Sequence, residues 1–146
     1  MPDRHITTEL RQQVSLRAGG YCEYCRSQAR YATQSFSVEH ILPRAQGGAT
    51  TMGNLALACQ GCNNHKYDKV EVPDPASGEI VPLYHPRRDR WDTHFAWSDD
   101  FVLIVGLTPA GRATVVTRFL NRESVVNLRQ LLCAIGAHPP PIADMT

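Results

Sequence analysis

No apolar run in this chain approaches the length needed to cross a bilayer; the longest, such as Phe101–Val105, are strand-sized. The opening stretch, MPDRHITTEL, lacks the apolar stretch of a secretory signal, so an intracellular, cytoplasmic protein with no membrane partner is expected. No internal repeat is visible, which argues against a solenoid, and no low-complexity tract. Charge of one sign is also missing: the net charge is +1, so bulk electrostatics give little reason to expect a polyanionic partner. What remains is 146 residues, 42% of them hydrophobic, the size of one ordinary domain or of a small module with an extension.

The charge that is present is unevenly spread. Residues 1–66 carry seven Lys/Arg against four Asp/Glu, residues 67–100 carry four against eight, and residues 101–146 carry four against two. A basic N-terminal part followed by an acidic middle is compatible with local nucleic-acid contact without requiring it. Five cysteines in a reducing compartment do not suggest a disulfide framework. Four of them fall into two Cys-x-x-Cys pairs, Cys22/Cys25 and Cys59/Cys62, while Cys133 stands alone in a helix-like run as a small core residue.

Local signals divide the chain. Thr7 or Thr8 caps a first helix with Glu9 near its positive end, and Gly19–Gly20 closes it. YCEYC is a tight turn. SFSVEHI, residues 35–41, alternates apolar and polar as a strand does; 43–53 is loop; and 54–58 is a second short strand. The run NNHKYDKV after Cys62 suits a short helix, giving the order hairpin then helix. Residues 73–86 hold four prolines and read as a linker or extended surface segment. Trp91, Phe95 and Trp97 with Phe101–Val105 suggest two strands joined by a Ser-Asp-Asp turn. Thr108-Pro109 starts a helix, Asn121 caps a last one over 122–134 with Val125, Leu128, Leu131 and Leu132 on one face, and Gly136 ends it before a proline-rich surface-bound or disordered tail. The division is 1–72 as a core and 73–146 as an extension packed on or beside it.

Each cysteine pair forms a knuckle that presents two sulfurs to one ion at about 2.3 Å, and tetrahedral Zn²⁺ is the usual occupant. A closed four-sulfur shell leaves no position for substrate, so the expected role is structural, and such binding supplies roughly 10 kcal/mol or more of folding free energy. Redox use of either pair is the rival reading, weakened because two pairs would be redundant. Between the knuckles stand Glu39 and His40, side by side at a strand end, then Pro43 and Gly47–Gly48. A buried strand does not need that charged pair; a site handling a metal ion and a proton does.

CEYC, VEHILPRAQGG, NLALAC and CNNHK, in that order over residues 20–70, resemble the HNH endonuclease family. The resemblance implies an α+β fold: a ββα-metal (His-Me finger) core stapled by the cysteine zinc site, with an N-terminal helix and an extension of a small hairpin plus helices. It implies a phosphodiester hydrolase acting on DNA and leaving 5′-phosphate and 3′-hydroxyl ends. His40 is then the general base, since an imidazole takes up a proton near neutral pH, with its other nitrogen held by a backbone carbonyl. Glu39, where relatives commonly have Asp, and Asn63, where many have His, would hold a catalytic Mg²⁺ or Mn²⁺ through hard oxygen donors. Glu39 lies on the opposite side of a regular strand from His40, so a twist at the strand end is needed to bring both to one site. Asn54 would bridge the long loop and orient His40. His65 is a competing ligand, shifted by two positions from the usual one. Lys66, on the helical face of Asn63, together with Arg44, Arg87 and Arg88, would contact substrate phosphates, and Lys69 is a further basic neighbour. Two rivals predict the same zinc without catalysis: a zinc-binding nucleic-acid module, and an interaction domain in which zinc only holds the hairpin. His85 and His94 have no motif around them and are expected to be structural.

Overall fold

The computed structural model describes residues 6–140, apart from Tyr67 and the side chain of Lys66. Helix α1 spans Thr8–Ala18; the Thr7 hydroxyl accepts the Leu10 N–H at 3.1 Å, and Gly19 ends the helix in the left-handed region at φ 67°. Strands β1 (Ser37–His40) and β2 (Leu55–Ala58) pair antiparallel, with Glu39 opposite Ala56 and His40 opposite Leu55. Helix α2, Gln60–Lys66, follows at once. It begins inside the second Cys-x-x-Cys pair, three residues earlier than the sequence suggested, because the knuckle is already the first turn: the Asn63 N–H donates to the Cys59 carbonyl at 3.0 Å. This strand–strand–helix order, with the cysteine pairs beside it, is the ββα arrangement expected of the sequence.

The proline-containing stretch that reads as a linker instead forms a small hairpin, β3 (Glu71–Pro73) with β4 (Ile80–Pro82). Pro73 and Pro82 end the two strands, and Pro75 stands in the turn. Asp74 organises the turn: its carboxylate accepts the Ala76 N–H at 3.2 Å and the Ser77 hydroxyl at 2.8 Å. Short helix α3 (Trp91–His94) then takes Trp91 out of the expected strand, and β5 (Phe95–Trp97) pairs with β6 (Ile104–Gly106). The second strand starts three residues late because Phe101 adopts a positive φ of 64°, incompatible with strand geometry. Helix α4 (Pro109–Thr117) has the expected Thr108 cap, whose hydroxyl accepts the Gly111 N–H at 3.0 Å. Helix α5 is Glu123–Ala134. Asn121 does not cap it; its amide bonds the Ile104 N–H and carbonyl at 2.7 and 2.9 Å and ties the turn to β6. Leu131 is exposed, and the buried stripe of α5 is Val125, Arg129 and Leu132. Cys133 is half-buried rather than a core residue, and residues 141–146 of the proline-rich tail lie outside the described residues.

Two apolar clusters organise these elements. One packs α1 through Val14 and Ala18 on Val38, Leu55 and Leu57, the side chains on one face of the β1–β2 hairpin. The other draws on both halves of the chain: Ile41, Ala56, Ala58 and the four paired cysteines meet Tyr84, Trp91, Phe95, Ile104 and Leu120. The small alanines at 56 and 58 leave room on that face for sulfur, rings and guanidinium groups. Among the described residues no helix is long and apolar enough to cross a membrane.

Candidate active site and metal centre

The sulfurs of Cys22, Cys25, Cys59 and Cys62 lie within 4.8 Å of one another, and all four residues are buried. Cys25 and Cys59 Sγ are 3.6 Å apart, close to the separation of about 3.8 Å that four ligands at zinc–sulfur distance adopt around a tetrahedral ion. The first knuckle closes through Cys22 and Arg26: the Cys22 carbonyl accepts the Arg26 N–H at 3.1 Å, and Arg26 takes a positive φ of 64°. Burial pushes the Cys22 and Cys62 thiols well up, while hydrogen bonds among the cysteines, that with Cys22 first, pull Cys25 well down and Cys59 down. Four sulfurs packed this closely compete for protons, and a bound cation relieves that competition. Donor type, separation and burial all fit zinc.

The loop from Leu42 to Asn54 is closed by one side chain. Asn54 Oδ1 accepts the Leu42 N–H at 2.8 Å, and its Nδ2 donates to the Leu42 and Ala49 carbonyls at 3.0 and 2.9 Å. The Gly-Gly pair is required by this closure. Gly47 has φ 91°, and a Cβ on Gly48 would fall 1.8 Å from the Leu42 carbonyl oxygen. The closed loop sets Thr50 beside β1, where its Oγ1 lies 2.8 Å from His40 Nε2. Arg17 of α1 buttresses the same loop by donating to the Met52 and Leu55 carbonyls at 2.7 and 2.5 Å.

Glu39 faces the other way. Its Oε1 accepts from Arg118 Nη2 at 2.8 Å, and the side chains of the pair are 6% and 1% exposed. Arg118 also donates to the Cys62 carbonyl at 3.0 Å and stacks on Tyr24 with Cζ 3.4 Å from the ring centroid. Burial alone would lower the Arg118 pKa, but the charge of Glu39, then Tyr24 and Cys62, raises it, so this group stays a cation. Strand β1 remains in regular register through His40, so Glu39 and His40 engage opposite sides of the hairpin. Asn63 is half-buried in α2, one residue from the carbonyl that Arg118 holds. Carboxylate and amide oxygens are suitable donors for a hard divalent ion, with Arg118 already on one carboxylate oxygen. His65 donates from Nδ1 to the Gly61 carbonyl at 2.7 Å and packs against Phe119, which leaves its Nε2 the lone pair in the neutral ring.

The basic residues separate. Arg44 is exposed in the loop, and Arg88, also exposed, lines a cleft of about 730 Å³ with Lys69, Arg118, Gly48, Ala49 and Asn54. Arg87 is bound to Glu23, whose other carboxylate oxygen accepts the Leu57 N–H at 2.8 Å, and burial lowers the Arg87 pKa to about 10. The Lys66 side chain lies outside the described residues. His94 pairs through Nδ1 with Thr108 Oγ1 at 2.6 Å, and His85 Nδ1 accepts the Arg87 N–H at 3.2 Å. Sequence reasoning missed Thr50 and Arg118. A hydroxyl inside the Gly-Gly-to-Asn loop was the available signal for the first; nothing local marks the second.

No curated protein and no solved structure matches the chain. The model of the family described as HNH endonuclease matches residues 22–69, from the first zinc knuckle to just beyond α2. Over this segment, with its hairpin, its Asn54-closed loop and its buried cysteine cluster, the chain matches the HNH endonuclease family, and the four cysteines fit that family's zinc-site variant.

Proposed function

We propose that this protein is a metal-dependent nuclease that hydrolyses DNA phosphodiester bonds with His40 as general base. The observation that carries the reading is the Asn54 clamp within the HNH segment, which closes the loop and brings Thr50 to the His40 ring. His40 takes a proton from the attacking water, and Thr50 and Asn54 fix the ring and the loop that hold it. Glu39 and Asn63 would hold a Mg²⁺ or Mn²⁺ ion once Glu39 turns from Arg118 toward the His40 side of β1; bound there, the ion would supply positive charge beside the phosphate and the leaving 3′ oxygen. Arg118 shares the Glu39 carboxylate and sets how readily that residue accepts an ion. Arg88 and Lys69, on the cleft beside the loop, together with Arg44 and Lys66, grip the phosphate backbone. Arg87 joins them only on leaving Glu23. The zinc is structural.

A second reading has one observation in its favour. Because Arg118 already neutralises Glu39, the segment would also suit a zinc-binding nucleic-acid module without catalysis. Incubating the purified protein with plasmid DNA and Mg²⁺ or Mn²⁺, beside His40→Ala, separates the two. Nicking or cutting by the parent, lost in His40→Ala with zinc content unchanged, is expected. Cutting that survives in His40→Ala removes His40 as base, and DNA retardation without cutting favours the second reading.

A further inference from the structure

The cysteine cluster is enclosed by arginines that no part of residues 22–69 supplies. Arg122, in the turn before α5, donates from Nη2 to Cys59 Sγ at 3.1 Å and from Nη1 to Cys62 Sγ at 3.7 Å. The same Nη1 reaches the Phe119 carbonyl at 3.1 Å, which holds the guanidinium over the second knuckle. Arg118 donates to the Cys62 carbonyl at 3.0 Å, and Arg129 lies 3.5 Å from the Cys25 carbonyl. Trp91 Nε1 donates to the Tyr24 carbonyl at 2.9 Å, inside the first knuckle. Both knuckles are therefore gripped by residues beyond position 90.

Gly61 bears on the same arrangement. It stands between the two cysteines of the second knuckle, and a Cβ there would sit 2.4 Å from Arg122 Cζ. The absent side chain is the space the guanidinium occupies. One divalent ion bound by four thiolates leaves excess negative charge in a buried cluster, and charged N–H donors to the sulfurs offset it without entering the coordination shell.

We infer that Arg122 is an outer-sphere partner of the four-cysteine metal, seated by Gly61, and that metal loading and docking of α5 are coupled through it. Arg122 is a positioning residue: it bonds the ligand sulfurs and leaves the ion to them. Its N–H groups on Cys59 and Cys62 Sγ offset the negative charge of the ligand sulfurs and tie the turn before α5 to the second knuckle. The inference does not depend on whether the protein cuts DNA.

Zinc transfer from the whole, zinc-loaded protein to a coloured chelator tests it. Arg122→Gln should release zinc about 10- to 100-fold faster than the parent, with Arg122→Lys between them because it keeps the charge but not the fork. Gly61→Ala acts from the other partner. Alanine favours a helix over glycine, so a purely structural role for position 61 predicts slower release or none of the effect, whereas eviction of the guanidinium predicts faster release. Unchanged release in both Arg122→Gln and Gly61→Ala overturns the inference, as does a reconstituted parent that binds no zinc at its cysteines. If Arg122→Gln fails to fold, hydrogen exchange on the parent decides. Chelation should strip protection from amides of α5 together with those of α2, and retention of α5 protection after zinc loss overturns the coupling.

Discussion

The two faces of strand β1 are built on opposite principles. On one, Val38, Leu55 and Leu57 pack against α1, and the His40 imidazole on the same side meets a loop hydroxyl. On the other, Glu39 is paired with Arg118 and enclosed with small alanines and four cysteines. The first face is closed by apolar packing and keeps its imidazole at the rim, beside a loop. The second is closed by electrostatics and draws its partners from far along the chain. One four-residue strand thus separates a positioned titratable group from a buried charge network, and damage to each should look different.

The largest effect is expected on the charged face. Arg118→Met leaves Glu39 buried without its cation, at a cost of about 3–5 kcal/mol in denaturant unfolding of the zinc-loaded protein. The double variant Glu39→Gln/Arg118→Met should recover much of that loss, because the unpaired charge, more than the missing contact, is what destabilises. Equal instability of the single and double variants would mean that Arg118 acts through its bond to the Cys62 carbonyl and its stacking on Tyr24, and the contrast between the faces would fail.

How much of this was legible in the sequence follows from how far each partner lies. The knuckles, the Thr7 and Thr108 caps, the Gly-Gly turn and the β1–β2–α2 order are set by residues within a few positions of one another, and sequence pattern reports such relations well. The Arg118–Glu39 pair spans 79 residues, Arg122–Cys59 spans 63 and Arg129–Cys25 spans 104. An arginine in a helix or at its end reads as a solvated charge until the fold carries it inward. The β3–β4 hairpin escaped for another reason. Three-residue strands give no usable alternation, and their prolines suggest a linker, while the group that holds the turn, Arg112 with its two bonds to Asp74 at 3.0 and 2.8 Å, is 38 residues away.

The open face should be sensitive in function before it is sensitive in stability. Asn54→Ala removes three hydrogen bonds whose partners are exposed and can turn to water, so roughly 1–2 kcal/mol of stability is expected to be lost, less than for Arg118→Met. Asn54→Asp separates its two jobs: the acceptor to the Leu42 N–H survives and the two donors are lost. If the donors to Leu42 and Ala49 close the loop, Asp should behave like Ala in any plasmid-cutting assay; parent-like cutting by Asp would assign closure to the single accepting bond.

The smallest stability effect is expected one atom from the imidazole. Thr50→Val keeps the shape of the side chain and deletes only the hydroxyl that meets His40 Nε2. Unfolding should move by no more than about 0.5 kcal/mol, as for a substitution that opens no cavity and strands no buried group. Loss of one orienting hydrogen bond of roughly 1 kcal/mol should slow turnover about five-fold, in kcat rather than KM, and shift the pH profile of cutting. Thr50→Ser should restore both, since it returns the hydroxyl. A change in KM alone would mean that Thr50 touches substrate instead of the ring. A stability loss as large as that of Arg118→Met would mean that the two faces of β1 are not built differently at all.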